Sequence, residues 1–353
     1  MRIGLTYDLR DDYRAAGYGE EEIAEFDTPE TIDAIASALQ TLGHSVERVG
    51  NLHALVDHLA HGRRWDLVFN TAEGLKGFGR ESQVPALLDA YGIPYTMSGP
   101  LVCALTLHKA YAKRVLRDAG VPTTPFFLVE KESDVDAVDL PYPLFVKPVA
   151  EGTAKGIDAS SRIDSRKALR TRCRALLAAY QQPVLVEPFL PGREFTVGVL
   201  GTGEASRCVG TLEVALRPEA EAHSYTYLNK ENCEQLCDYA LADGESARRV
   251  EPIALATWRA LDGRDAGRVD LRLDALGRPQ VLELNPLPGL HPTHSDLPMI
   301  CTAKGMSYTE LIGAIVDSAR ARVESVPELR ERRRVSTGRR ASRTRRVSSA
   351  LPV

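Results

Sequence analysis

Two short segments concentrate oxygen ligands: Arg268-Val269-Asp270-Leu271-Arg272-Leu273-Asp274 and Val281-Leu282-Glu283-Leu284-Asn285-Pro286. Each alternates polar and apolar residues at period two, so each reads as a strand with one apolar face and one face bearing Asp, Glu or Asn. A hairpin turning through Ala275 to Pro279, with Gly277 in the turn, sets Asp270 opposite Glu283 or Asn285 in any register whose paired numbers sum to an odd value. An even register sends Asp270 to the far face. Gathered on one face, two carboxylates and an amide oxygen suit Mg2+, with Mn2+ as a substitute. Such a hard cation shares the rest of its shell with phosphate and water. The alternative is a charged, solvated hairpin face, which is common in antiparallel sheets.

A second constellation runs from Phe145 to Ile157: Lys147 at a strand end, then Glu151-Gly152-Thr153-Ala154-Lys155-Gly156. The lysine offers phosphate a point charge, while loop N-H groups and the Thr153 hydroxyl offer neutral donors. The Gly-x-x-x-x-Gly-Lys-Ser/Thr order of a Walker loop is absent. Downstream, Pro183 to Val197 reads as a buried strand, a turn and another strand. Such a crossover between domains can hold adenine between apolar walls, with an acid near the ribose.

The elements that must position these groups begin with strand-helix alternation: a strand Ile3 to Tyr7, a helix Pro29 to Leu42, a strand Ser45 to Val49, a helix Leu52 to Ala60 and a strand Leu67 to Phe69. This order predicts a parallel, doubly wound sheet that binds ligands at the carboxyl ends of its strands, near Asp8, Arg10 and the loop from Asn70 to Ser82. Asp27 and Glu30 read as a capping box, with Pro29 in the first turn. A second unit from Gly99 holds helices Leu101 to Leu107, Lys109 to Ala119 and Arg166 to Tyr180, and strands Phe126 to Val129 and Leu144 to Lys147. A third holds strands Phe195 to Leu200 and Cys208 to Val214, the acidic hairpin and a closing helix Tyr308 to Ala321. The expected domains are 1–98, 99–190 and 191–325, followed by a disordered Arg/Ser-rich tail over 326–353. Arg-Arg-x-Ser occurs three times in that tail, ending at Ser336, Ser342 and Ser348, a pattern that a basophilic kinase could use.

At 353 residues the chain exceeds a single small module. No apolar run approaches the ~18 residues of a membrane span, and the first residues read as a strand rather than a signal peptide, so a cytoplasmic protein is expected. The six cysteines are scattered and read as reduced, buried thiols; Cys233 and Cys237 are spaced to meet on a helix, without a second pair to complete a zinc site. From Arg330 onward nine Arg face one Glu, and removing that +8 from the formal −4 leaves a body of about −12. An acidic body argues against nucleic acid as partner.

These pieces, in this order, resemble the ATP-grasp superfamily and within it the D-alanine:D-alanine ligase family. The resemblance rests on Tyr95-Thr96 with Ser98-Gly99, Lys147-Pro148 with Glu151-Gly152 and Gly156, Glu194-Phe195-Thr196-Val197, Gly267-Arg268-Val269-Asp270, and Glu283-Leu284-Asn285 with Pro288-Gly289. It covers Arg2 to about Ala321 and implies an α/β ATP-grasp fold, an N-terminal doubly wound parallel sheet plus two α+β domains clasping ATP. It further implies that Lys109 and Lys147 contact ATP phosphates beside Glu151 and Gly152, and that Glu187, Pro188, Phe189 and Leu190 with Glu194 hold adenosine. Asp270, Glu283 and Asn285 would bind two Mg2+, with Arg268 beside the reacting phosphate. Thr153 and Ser295 take positions of substrate-proximal serines, and Lys230 that of a lysine on a closing loop. The implied reaction joins two amino acids through an acyl phosphate, in a homodimer, with peptidoglycan precursor as the familiar product.

Three departures fall where substrates should sit. The family's N-terminal Gly-Gly-x-Ser-x-Glu is replaced by Thr6-Tyr7-Asp8-Leu9-Arg10 and an acidic insert with Glu20-Glu21-Glu22 and Glu25. Its His-Gly-x-x-Gly-Glu-Asp-Gly is replaced by Asn70 to Arg80-Glu81, and a loop tyrosine by Glu231. They favour an amino-acid ligase with other substrates over the cell-wall enzyme. A nucleotide-binding regulatory protein without turnover is the third reading; the intact Lys147, Arg268, Asp270, Glu283 and Asn285 argue against it.

Overall fold

The computed structural model describes residues 1–221, 226–242 and 244–325, with the backbone alone for Lys230, Glu231, Cys233 and Ser325. The Arg/Ser-rich tail, with Ser336, Ser342 and Ser348, lies outside the described residues, as do the Lys230 side chain and part of the expected closing loop over 223–232.

The first sheet is parallel, in the order β2-β1-β3, with β1 Arg2–Thr6, β2 Ser45–Gly50 and β3 Leu67–Asn70. Helices cover both its faces, as strand-helix alternation requires. On one side Ile3, Leu5, Leu67 and Phe69 pack against Ile32, Ile35 and Leu39 of the helix Pro29–Thr41. On the other, Val68 and Trp65 meet Leu55 and Leu59 of the helix Leu52–Ala60 and Val84 and Leu88 of the helix Gln83–Tyr91. The first of these cores is completed by Leu311, Ile312, Ile315 and Val316 of the helix Tyr308–Ser325. The cap of the helix at Pro29 differs from expectation. Thr28 is the N-cap, its hydroxyl accepting from the Thr31 N-H, because the Asp27 carboxylate is taken by the Thr71 hydroxyl at 2.8 Å.

The second sheet is antiparallel, β4-β7-β5-β6, from β4 Phe127–Val129, β5 Leu144–Pro148, β6 Arg162–Ile163 and β7 Val184–Pro188. The third is also antiparallel, β10-β9-β8-β11-β12, from β8 Glu194–Leu200, β9 Arg207–Leu216, β10 Cys237–Leu241, β11 Ala266–Leu273 and β12 Pro279–Asn285. Cys237 therefore opens a strand instead of sharing a helix with Cys233.

One face of the third sheet packs Phe195, Val197, Val199, Val269 and Leu271 against the helix Glu245–Ala260, which the sequence reading left unassigned. Its buried positions Val250, Ala254, Thr257 and Trp258 follow helical spacing. Burying such side chains stabilises by roughly 1.5–3 kcal/mol each, so this layer holds the opposite, polar face in place.

The acidic hairpin contains both registers. From the turn outward the pairs Leu273↔Pro279, Arg272↔Gln280 and Leu271↔Val281 have even sums, whereas Asp270↔Glu283, Val269↔Leu284 and Arg268↔Asn285 have odd sums. Leu282 is the extra residue of a bulge between the two. Val281 and Leu284 are buried in the apolar core, and Leu282 and Glu283 both turn to the other face. A bulge of this kind bends the strand and re-aims a side chain.

Gly267, beside this hairpin, has no room for a side chain: a Cβ would stand 2.4 Å from Trp258 Cζ3 and 2.6 Å from the Asn285 carbonyl oxygen. Gly267→Ala is expected to destabilise the protein by about 1–3 kcal/mol through overpacking, read as a lowered urea midpoint with the m-value unchanged.

Candidate active site

The bulged hairpin sets Asp270 and Glu283 side by side on the cleft face. The Thr196 hydroxyl, from the neighbouring strand β8, donates to Asp270 Oδ1 at 2.9 Å, and the Arg268 guanidinium meets Asp270 Oδ2 at 2.6 Å. The Asn285 amide nitrogen also donates to Asp270 Oδ2, at 3.1 Å. Arg268 reaches Asp296 at 3.3 Å as well. Burial opposes its charge, but Asp270, Asp296 and Glu283 more than offset that and keep the guanidinium protonated. Two carboxylates and an amide within one cluster fit a hard divalent cation that keeps phosphate and water ligands.

Lys109 stands across from this face. It opens the helix Lys109–Asp118, where its backbone N-H donates to Val149 O at 3.0 Å, just past the end of β5. Its ammonium lies 2.6 Å from the Glu151 carbonyl and 3.2 Å from Glu283 Oε2. One turn on, Lys113 is 1% exposed and pairs with Glu187 at 2.8 Å, while Lys147 reaches the same carboxylate at 3.4 Å. The Thr124 hydroxyl also donates to Glu187. Burial alone would raise the Glu187 carboxyl, but Lys113 and Lys147 bring it down to about 2. Burial lowers the Lys113 ammonium despite Glu187, whereas for Lys147 the attraction of Glu187 and Glu283 outweighs burial and raises it.

Most of these groups line a cleft between the second and third sheets. Pro188, Phe189 and Leu190, leaving β7, form part of its apolar wall with Phe145, Ile157 and the bulge residue Leu282. Arg272 lies over the Phe189 ring at 5.3 Å and pairs with Glu194 at 3.4 Å. The structure thus brings together Lys109, Lys147, Glu151, Glu187, Pro188, Phe189, Leu190, Glu194, Arg268, Asp270 and Glu283 around one cavity. Glu187 has its carboxylate spent on two lysines.

Gly152, Thr153, Ser295 and Asn285 face a wider adjoining cleft of about 2210 Å3 that shares Lys109, Glu151, Arg268 and Glu283 with the first. The Ser295 hydroxyl accepts from the His291 N-H at 3.0 Å. Thr153 and Ala154 are held at φ of 48° and 55°, a left-handed conformation that costs side-chain-bearing residues free energy and that gathers at functional loops. What fixes this loop is the acidic insert. Glu25 pairs with Arg80 at 3.0 Å and with Lys155 at 3.2 Å, and Lys155 reaches Glu151 at 2.6 Å. A Cβ on Gly152 would lie 2.0 Å from Glu25 Oε1, so the glycine is what admits that carboxylate.

Sequence reasoning missed Lys113, Thr124, Thr196, Lys155 and Asp296. Lys113 left a signal, a lysine on the apolar side of an amphipathic helix four residues after Lys109. Thr196 left another, at the cleft-facing parity of β8.

Three sheets with a cleft between the two antiparallel ones make up the ATP-grasp architecture. A solved D-alanine–D-alanine ligase from Bacillus anthracis superposes with a TM-score of 0.71 at 21% identity, over 92% of this chain and 100% of that one. The family model described as "D-ala D-ala ligase C-terminus" matches residues 115–317. An uncharacterized protein, y4sG, of Sinorhizobium fredii is 36% identical over 301 residues, 82% of this chain and 87% of its own. The D-alanine–D-alanine ligase of Bordetella petrii is 34% identical over 263 residues, 74% of this chain and 78% of its own. The chain belongs to the D-alanine–D-alanine ligase family.

Glu187 makes a pH prediction. Its folded pKa lies below its ordinary 4.5, so its contribution is complete above that value and is lost as pH falls toward about 2. On the order of 3 kcal/mol should disappear over that interval. Urea unfolding followed at stepwise lower pH should show the decline, and Glu187→Gln should flatten it.

Proposed function

We propose that this chain joins two amino acids in an ATP-dependent, Mg2+-requiring reaction that passes through an acyl phosphate. Family membership makes it an ATP-dependent ligase forming C-N bonds. The observation that carries the proposal is the gathering of Lys109, Lys147 and Arg268 with Asp270, Glu283 and Asn285 where the cleft between the two antiparallel sheets adjoins a wider one. Lys147, fixed by Glu187, and Lys109, fixed by the Glu151 carbonyl, hold the phosphates of ATP from opposite sides. Asp270, Glu283 and Asn285 would hold Mg2+, which when bound neutralises charge on the transferred phosphoryl group. Arg268 faces the equatorial oxygens and then the tetrahedral oxyanion formed when the amine attacks. Thr153 and Ser295 contact the substrates in the wider cleft.

D-alanine is the substrate named for the Bordetella petrii relative. A second reading, a ligase for other amino acids, is favoured by one observation: the wider cleft is walled by Glu25, Glu73 and Glu81 from the two segments that depart from the family pattern. Phosphate release dependent on ATP and Mg2+, screened over D- and L-amino acids singly and in pairs with product masses, separates the two. A D-alanyl-D-alanine mass supports the first, and only a different dipeptide the second.

Asp270→Asn and Glu283→Gln are each expected to lower kcat at least 100-fold with the melting temperature little changed; wild-type rates in both would sink the metal assignment. Lys147→Ala should raise the KM for ATP at least tenfold, and an unchanged value would remove its phosphate role.

A further inference from the structure

Two carboxylates in the wider cleft stand apart from the others. Glu81 is 7% exposed, lines the cleft, and among the described residues makes no hydrogen bond or ion pair. Glu73, from the same loop, likewise makes none. The other acids of this cleft are engaged: Glu25 with Arg80 and Lys155, Glu151 with Lys155, Glu283 with Lys109, Glu30 with His291, Glu234 with His294 and Asp27 with the Thr71 hydroxyl. An acid taken out of water without a partner is costly, and burial, followed by nearby acids, pushes Glu81 up to about 8 and Glu73 well above the carboxylate range. The cations nearest Glu81, Arg80 and Lys109, are already paired.

Glu81 lines the wider cleft with Lys109 and Glu283, the residues shared by both clefts. Glu73 also lines a small side pocket that adjoins the wider cleft and has room for about one water-sized group, together with Glu25, Asp27 and Asn70. Asp27 receives only the Thr71 hydroxyl among side-chain donors, and burial pushes it up to about 7. Asn70 Nδ2 is buried there without an acceptor. The side pocket thus joins three acids to an apolar wall of Met97, Leu287 and Pro288, and among the described residues no cation lines it.

We propose that the carboxylate-donating substrate is a diamino acid, its α-ammonium received by Glu81 beside the reacting carboxylate and its side-chain ammonium received by Glu73 and Asp27 in the side pocket. The inference rests on the ligase reading and narrows its substrate class. A single-ammonium donor such as alanine would leave Glu73 and Asp27 facing one another across a pocket without a cation. A compact ammonium, with three donors and no acceptor, matches two carboxylates of which Glu73 has no donor among the described residues and Asp27 only the Thr71 hydroxyl among side-chain donors.

Trapping the acyl phosphate with hydroxylamine isolates the donor from the unknown acceptor. The intact chain, with ATP and Mg2+, is offered D- and L-alanine, 2,3-diaminopropionate, 2,4-diaminobutyrate, ornithine and lysine, and hydroxamates are read by mass and rate. The expected result is a kcat/KM for at least one diamino acid ten or more times that for alanine. Glu73→Gln should bring that ratio within threefold of unity, Glu73→Asp should restore part of it, and Glu81→Gln should raise the donor KM at least tenfold. The KM for ATP should move less than threefold in all three. Melting temperatures of the Gln variants at or above wild type would confirm that they fold. Preference of the wild type for alanine, or a ratio untouched by Glu73→Gln, overturns the diamino-acid assignment and leaves the ligase standing. No hydroxamate from any acid removes the ligase reading, and this inference with it.

Discussion

One extra residue in a β-strand holds the candidate site together. The hairpin of β11 and β12 leaves its turn in a register that, continued unbroken, would pair Asp270 with Leu282 and send Glu283 into the apolar core. The bulge at Leu282 changes the parity, so that Asp270 and Glu283 pair directly while Val281 and Leu284 both stay buried. A one-residue change of register moves every subsequent side chain to the other face of a sheet. Here it serves two purposes, because the residue it displaces, Leu282, becomes part of the apolar wall of the cleft between the two antiparallel sheets.

Around that hairpin, fixed carboxylates orient mobile cations. Lys147 and Lys113 share Glu187, Lys109 spans Glu151 and Glu283, and Lys155 and Arg80 share Glu25. Buried ion pairs return little net stability because desolvation offsets their attraction. Their value is geometric: a lysine is a flexible point charge, and a second bond gives it one position. The Glu25 pairs extend the same logic to the acidic insert, which braces the glycine loop from the first sheet.

Much of this was legible in the sequence. Period-two alternation gave both strands of the hairpin, and apolar spacing located the helices Leu52–Ala60 and Arg166–Tyr180 to the residue. The bulge was not legible, since both registers satisfy the period-two pattern of the two strands and no local pattern marks where one gives way to the other. The helix Glu245–Ala260 was hidden by Pro252 within it, although its buried stripe keeps helical spacing. Asp27 and Thr28 are both good capping residues, and only the distant Thr71 decides between them. Lys113 and Glu187 likewise meet only through the packing of one helix against a distant strand.

The core under the first sheet also bears on how the chain is made. Ile3 and Leu5 of β1 lie against Leu311, Ile312 and Ile315, so this strand waits for partners synthesised roughly 300 residues after it. At ordinary elongation rates of about 5–20 residues per second, that interval is roughly 15 to 60 s. During it, one apolar side of the nascent parallel sheet is only partly covered by the helix Pro29–Thr41. The two antiparallel sheets, whose strands all lie within the intervening stretch, can close meanwhile. The order of folding would then run against the order of synthesis, with the amino-terminal sheet, a natural client for a chaperone, locking last.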